Sequence, residues 1–209
     1  MPDVGGHARL VSSGQRTAVI RYLAPVTQES ISELLMTIDQ RISAGAARIT
    51  LLIGTTGGSV FQGLCAYNYI RCLPVDVATC NLGRIESIGN VLYCAGRRRL
   101  AFAQSRFSFH GVRVGFAQGE SLGQQDLASR MARAEMDAAD VVSVIGTTCR
   151  KSPDEIRSAM DTCQILTSEE AVQWNLVHEV LPLGPVDASA IWGENVVRSI
   201  QDSGAMARE

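Results

Sequence analysis

Ile49-Thr50-Leu51-Leu52-Ile53-Gly54-Thr55-Thr56-Gly57-Gly58-Ser59-Val60 is the stretch on which the reading of the fold turns. Its first part, Ile49 to Ile53, is a near-continuous apolar run bounded by glycines, the pattern of a strand buried on both faces of a parallel sheet. The glycine pair follows at once. A helix then runs from about Val60 to Cys72, closed by Pro74, and a second strand is expected at Val75 to Cys80. Strand, crossover helix and strand make a right-handed βαβ unit.

Working outward, the same alternation continues in both directions. Upstream, Ala18 to Tyr22 is β-like. Thr27 to Ser43 is helical, with Ile31, Leu34, Leu35, Ile38 and Ile42 at helical spacing, and Ser30 with Glu33 as a possible capping box. Downstream, Ser87 to Ala95 reads as a helix of small residues, and Leu100 to Ala103 and Phe107 to His110 as strands. A long helix is expected over Leu122 to Ile145, with Leu127, Met131, Ala134, Ala138, Val141 and Ile145 on one stripe. Short helices near Pro153 to Met160 and Ser168 to Trp174 precede a last strand at Val177 to Leu181. The fold class is α/β, with repeated βαβ units and a mainly parallel sheet. Residues 1–15 read as a mobile arm, 16–184 as one domain and 185–209 as a tail whose Ile191, Trp192, Val196, Val197 and Ile200 form a docking patch.

Composition narrows the function classes. The 209 residues are 46% hydrophobic and 19% charged, enough for one domain with a sizeable core. A net charge of −2 gives no reason to expect nucleic acid, and a solvated hairpin turn explains Arg97-Arg98-Arg99, the only dense basic run, about as well as a binding role. No apolar run is long enough to cross a membrane, and the first residues lack the regions of a signal peptide. Cytoplasmic residence is the expectation. The six cysteines form no C-x-x-C pair and read as small buried hydrophobes, and with three histidines no metal or other cofactor is expected.

Three segments carry candidate chemistry. Gly57-Gly58 sits between a strand and the helix after it, at the end of the sheet where α/β proteins gather ligands. Glycine lets backbone N–H groups approach a substrate closely, so the loop is a candidate oxyanion hole, or simply a tight turn. Ser87 in Glu86-Ser87-Ile88-Gly89-Asn90 opens a helix, where serine is more often a cap than a nucleophile, but Gly89 clears space above its hydroxyl. His110 ends Phe107-Ser108-Phe109-His110, where alternation separates it from the phenylalanine face. Taken together these are a hydroxyl, a base and an oxyanion environment, the parts needed for acyl transfer.

The order of these blocks resembles a family. Gly57-Gly58-Ser59-Val60, then Ser87-Ile88-Gly89, then Ser105-Arg106 ahead of His110-Gly111, then Ser168-Glu169-Glu170-Ala171 and Asn175-Leu176-Val177, together resemble the proteolytic subunit of the Clp proteases from about Val19 to Leu181. The resemblance implies the Clp/crotonase-like fold, with the long helix as its handle. It also implies a serine endopeptidase with Ser87 as nucleophile, His110 as base, and Gly57, Gly58 and Ile88 around the oxyanion. Such subunits form ring homo-oligomers, receive chains from a partner ATPase unfoldase ring and cleave unfolded polypeptides. No ATP site is expected on this chain, which has no G-x-x-x-x-G-K-[ST] loop.

The sequence departs from that family at four places. Thr56 replaces a proline before the glycines, Glu86 stands where a small residue is usual, and His110 follows Ser87 by 23 residues, slightly fewer than usual. The fourth departure concerns the triad: the position of the family's aspartate holds Cys163, a weak acceptor. Asp161 is the nearest carboxylate and the candidate third catalytic residue, although in an extended segment it would lie about 6–7 Å along the strand from Cys163. The alternatives are another carboxylate brought in by the fold, or a catalytically impaired ring subunit. A crotonase-type acyl-CoA enzyme ranks last, because that chemistry has no use for the serine and the histidine.

Overall fold

The computed structural model describes residues 16–182, so His7, the arm and the tail lie outside the described residues. The chain runs β1 (Thr17–Leu23), α1 (Gln28–Ser43), β2 (Arg48–Thr55), α2 (Val60–Cys72), β3 (Asp76–Glu86), α3 (Gly89–Cys94) and β4 (Arg98–Phe102). It continues through β5 (Arg106–Ser108), α4 (Gln124–Cys149), α5 (Pro153–Asp161), β6 (Ile165–Thr167), α6 (Ser168–Gln173) and β7 (Glu179–Leu181). The sheet path is β1-β2-β3-β4-β7, parallel throughout, and β5 and β6 branch from it. This is the α/β architecture expected from the alternation of elements.

The branch point decides where the site forms. The first half of β3 pairs with β4, Ala78↔Arg98 to Asn81↔Ala101, and its end pairs with β5, Arg84↔Arg106 to Glu86↔Ser108. β3 was expected to stop at Cys80, but it continues six residues further. Asn81 makes that possible: fully buried, its Nδ2 donates to the Arg106 carbonyl and its Oδ1 accepts from the Gly83 N–H, each at 2.9 Å. The segment read as a loop is thus held as a strand, with a bulge against β2 between Ile53 and Thr55. The extension carries the chain directly to Ser87.

α3 is buried over all six residues and forms the centre of the molecule. Tyr93 packs edge-on against Phe107 with ring centroids 5.0 Å apart, and its hydroxyl donates to the Leu100 carbonyl at 2.8 Å. Among the described residues no helix is long and apolar enough to cross a membrane.

Several local readings change. α1 is capped by Thr27 with Ser30 at N3 as a reciprocal box, so the expected pairing of Ser30 with Glu33 is corrected. The basic run is not a solvated hairpin turn. Arg98 and Arg99 lie in β4, and Arg99 is buried, its guanidinium donating to the carbonyls of Leu176 (2.8 Å), Asn175 (3.1 Å) and Gly96 (3.3 Å). His178 lies against the same guanidinium at 2.9 Å and accepts the Arg99 N–H at Nδ1, which is a structural role. Cys80, Cys94 and Cys149 are buried thiols as expected, pushed up to about 12, about 11 and about 12 by desolvation, whereas Cys72 and Cys163 are exposed. On α4, only the C-terminal end of the expected stripe is buried: Val141 and Ile145 join the core, but Leu127, Met131 and Met136 face outward.

Candidate active site

Ser87 occupies the turn between β3 and α3, with φ of 55°. A non-glycine residue in the left-handed region is strained unless its surroundings hold it. Here the Ser87 N–H donates to the Ser108 carbonyl at 3.0 Å, and the Asn90 N–H donates to the Ser87 carbonyl at 3.0 Å. The side chain of Asn90 completes the clamp, its Nδ2 donating to the Ser87 carbonyl (3.1 Å) and the Ser108 carbonyl (2.9 Å). Asn90 has no solvent exposure. Sequence reasoning assigned it no role; the available signal was an amide inside a segment otherwise made of small and apolar residues.

Glu86 does not face the serine. It pairs with Arg84 on the same side of β3 (Nε to Oε1, 3.2 Å), because the intervening Ile85 is fully buried on the other. Its carboxylate, which beside Ser87 would add unfavourable charge near an oxyanion, is therefore turned away from the cleft.

The glycine pair is held against β1's exit loop and against Ser87. Val26 N–H donates to the Gly57 carbonyl and Ser59 N–H to the Val26 carbonyl, both at 2.8 Å, forming a parallel bridge between Val26 and Gly58. A Cβ on Gly58 would lie 2.3 Å from the Val26 oxygen, and one on Gly57 would lie 2.7 Å from Ser87 Cβ. Their φ values are 151° and 81°, so both positions need glycine for conformation as well as for space. The two N–H groups differ. Gly57 donates to Thr55 Oγ1 at 3.1 Å and does not line the cleft. The N–H groups of Gly58 and Ile88 have no acceptor among the described residues, and both residues line it. Of the three groups expected from sequence around the oxyanion, Gly58 and Ile88 thus have open N–H groups among the described residues, whereas the Gly57 N–H is used.

His110 follows β5 and shares a cleft of about 230 Å³ with Ser87, Ile88 and Gly58. Apolar side chains of Val60, Phe109, Val141, Ile145 and Met160 form much of the remaining wall, with Arg113 at its rim. His110 Nδ1 lies 2.8 Å from the carbonyl oxygen of Gly111. No hydrogen bond joins His110 to Ser87 Oγ among the described residues; catalytic hydrogen bonds of substrate-free enzymes often close only when substrate is bound.

Asp161 is not brought to the histidine. It is the last residue of α5, exposed, and makes no hydrogen bond or ion pair with His110. Contrary to the expectation from sequence, Asp161 does not lie along an extended strand, because the segment is helical to its end. The helix closes in a Schellman turn: Gln164 N–H donates to the Ala159 carbonyl (2.9 Å), Cys163 N–H to the Met160 carbonyl (3.3 Å), and Cys163 takes φ of 49°. Met160 lines the cleft, whereas Asp161 and Cys163 do not. Among the described residues no group of three or more His, Cys, Asp or Glu side chains is placed to hold a metal ion.

The comparisons with known proteins bear on the family and the fold. The Clp protease family model matches residues 9–183. ATP-dependent Clp protease proteolytic subunit 3 of Rhodococcus jostii (strain RHA1) is 29% identical over 137 residues, covering 64% of this chain and 65% of that protein. ATP-dependent Clp protease proteolytic subunit 2 of Thermobifida fusca (strain YX) is 29% identical over 139 residues, covering 66% of each. The match therefore spans just under two thirds of the length of these relatives. A solved structure of a ClpP1 point mutant from Listeria monocytogenes superposes with a TM-score of 0.69 at 20% identity, covering 80% of this chain and 91% of that one, a likeness of fold.

Proposed function

Because the chain belongs to the Clp protease family, we propose that it is the proteolytic subunit of a Clp-type serine peptidase acting on unfolded polypeptides. The observation that carries this reading is Ser87, held at a strained turn on the wall of one cleft with His110 and two acceptor-free N–H groups. Strain of this kind persists only where the surroundings enforce it, and it is typical of reacting centres.

The chemistry follows from those positions. His110 accepts the Ser87 hydroxyl proton as Oγ attacks the scissile carbonyl carbon, and the resulting oxyanion lies toward the N–H groups of Gly58 and Ile88. Each such donor is worth about 3 kcal/mol of barrier in acyl transfer. The proton then passes from His110 to the leaving amine, and water repeats the sequence to release the acyl group. Substrate pairs through its main chain as an extended strand, which gives affinity with little sequence preference. Family membership supports a ring homo-oligomer fed by a partner ATPase ring in the cytoplasm as the working form, with the exposed apolar residues of α4 at the interface between subunits.

A second reading has its own support. No carboxylate reaches His110 in the described residues, which favours a catalytically impaired ring subunit. Fluorophosphonate labelling read by mass spectrometry separates the two. Label on Ser87 alone, lost in Ser87→Ala together with peptide hydrolysis, is expected; an unlabelled Ser87 in a folded protein would leave only the ring-subunit reading.

A further inference from the structure

The peptidase reading leaves the group that holds the His110 ring unassigned, and a main-chain atom fills that place. His110 Nδ1 and the Gly111 oxygen are 2.8 Å apart. A carbonyl oxygen carries no proton, so this bond exists only with the proton on Nδ1. A neutral ring protonated at Nδ1 has its lone pair on Nε2. That is the tautomer a serine nucleophile requires of its base. No side chain among the described residues competes for the role: Asp161 is exposed on the end of α5, and Cys163 makes no hydrogen bond to His110.

We infer that the Gly111 carbonyl is the third member of the catalytic constellation, a positioning group that replaces the carboxylate. The inference rests on the reading of Ser87 and His110 as nucleophile and base. In the acylation step the Ser87 Oγ–H proton moves to Nε2 as the Oγ–C bond forms, and Nδ1–H stays on the Gly111 oxygen throughout. Collapse breaks the C–N bond and returns the Nε2 proton to the amine. A carbonyl sets tautomer and orientation as a carboxylate does, but it lacks the full negative charge that stabilises the imidazolium. The enzyme therefore escapes the roughly 10⁴ loss that a wrong tautomer causes in chymotrypsin-type enzymes, while remaining slower than one with an aspartate.

Because the acceptor is main chain, the side chain at position 111 is irrelevant to it. The positive test replaces Val112 with its α-hydroxy acid counterpart, turning the 111–112 amide into an ester whose carbonyl is a weaker acceptor. The Val112 N–H donates no hydrogen bond among the described residues, so its removal breaks none of them. Turnover is expected to fall roughly 3- to 10-fold with KM unchanged and Ser87 still labelled by fluorophosphonate; unchanged turnover would overturn the assignment. Independently of catalysis, ¹⁵N-histidine solid-state NMR of the full chain reads the tautomer, the three histidines being distinguished by single glutamine substitutions. A proton on Nδ1 of His110 is expected, and a proton on Nε2 overturns the proposal. If Ser87 is not labelled at all, the peptidase reading fails and the positioning role falls with it, whichever tautomer is found.

Discussion

Cys163 and His110 follow the antiparallel ladder between β5 and β6 at one end, each two residues beyond its last pair. The pairs Arg106↔Thr167, Phe107↔Leu166 and Ser108↔Ile165 are followed by Phe109 N–H donating to the Gln164 carbonyl at 2.9 Å, and the next residues on the two sides are His110 and Cys163. The position that the family resemblance assigns to an aspartate thus lies just before the strand partner of the histidine's own strand, and its side chain is an exposed thiol.

This relationship makes the carboxylate restorable. Cys163 sits in the left-handed region, which aspartate tolerates better than most residues, so Cys163→Asp is expected to fold normally. A charged acceptor is about twice as strong as a neutral one, or about 1–2 kcal/mol better, which predicts roughly tenfold faster turnover on a small peptide or ester substrate. Asp161→Asn is expected to change turnover by less than about twofold, since its carboxylate is at the exposed end of α5. A loss of activity in Asp161→Asn would require α5 to unwind on substrate binding.

The glycine pair can be separated by substitution. Gly58→Ala drives a methyl against the Val26 carbonyl, a backbone atom that cannot step aside, and breaks the Val26–Gly58 bridge. A loss of about 2–4 kcal/mol in chemical denaturation is expected, along with activity. Gly57→Ala pushes instead on Ser87 Cβ. Its cost to stability should be of similar size, and fluorophosphonate should react more slowly with whatever folded protein remains.

Burial and the charges of Arg99 and Arg98 hold His178 below its ordinary value of 6.5. With the folded value depressed, the unfolded chain binds the proton first as pH falls. The stability contribution is therefore complete above about 6.5 and is lost as pH drops through the folded value. The melting temperature should fall on acidification from about pH 7 to about pH 5, and His178→Gln should flatten that slope. Arg99→Met is a harsher change. It leaves the carbonyls of Leu176 and Asn175 without their donor, and a loss of about 2–4 kcal/mol is expected in denaturant titrations.

Leu127, Met131 and Met136 are 42%, 54% and 68% exposed along α4, large apolar residues that the subunit leaves open to solvent, with Leu127 and Met131 about one turn apart on one side and Met136 on the other. Light scattering at micromolar concentration should return a large oligomer, and Met131→Glu should shift it toward smaller species without altering the melting of the subunit core. A stable wild-type monomer would count against ring assembly.

The elements of the fold were legible because their signals are local. An apolar run between glycines, a stripe at helical spacing and an ordered series of short motifs are properties of residues a few positions apart, and they located the βαβ alternation, Ser87, His110 and the glycine loop. Asn90 and Arg99 were not legible in this way. Each is a polar side chain whose role comes from carbonyls supplied by distant segments: Ser108 for Asn90, and Leu176 and Asn175 for Arg99.

The sequence by itself determined that this chain builds an α/β domain with a serine, a histidine and a glycine loop in the order of a Clp-type peptidase, since residue type and spacing carry that information. The tertiary structure alone decided three further points: that Gly58 rather than Gly57 presents an unused N–H, that Asp161 ends a helix away from the site, and that the histidine's Nδ1 meets a main-chain oxygen. The physical reason is the same in each case. The partner of a hydrogen-bonding group is fixed by which atoms the folded chain brings within about 3 Å of it, and spacing along the sequence does not carry that distance.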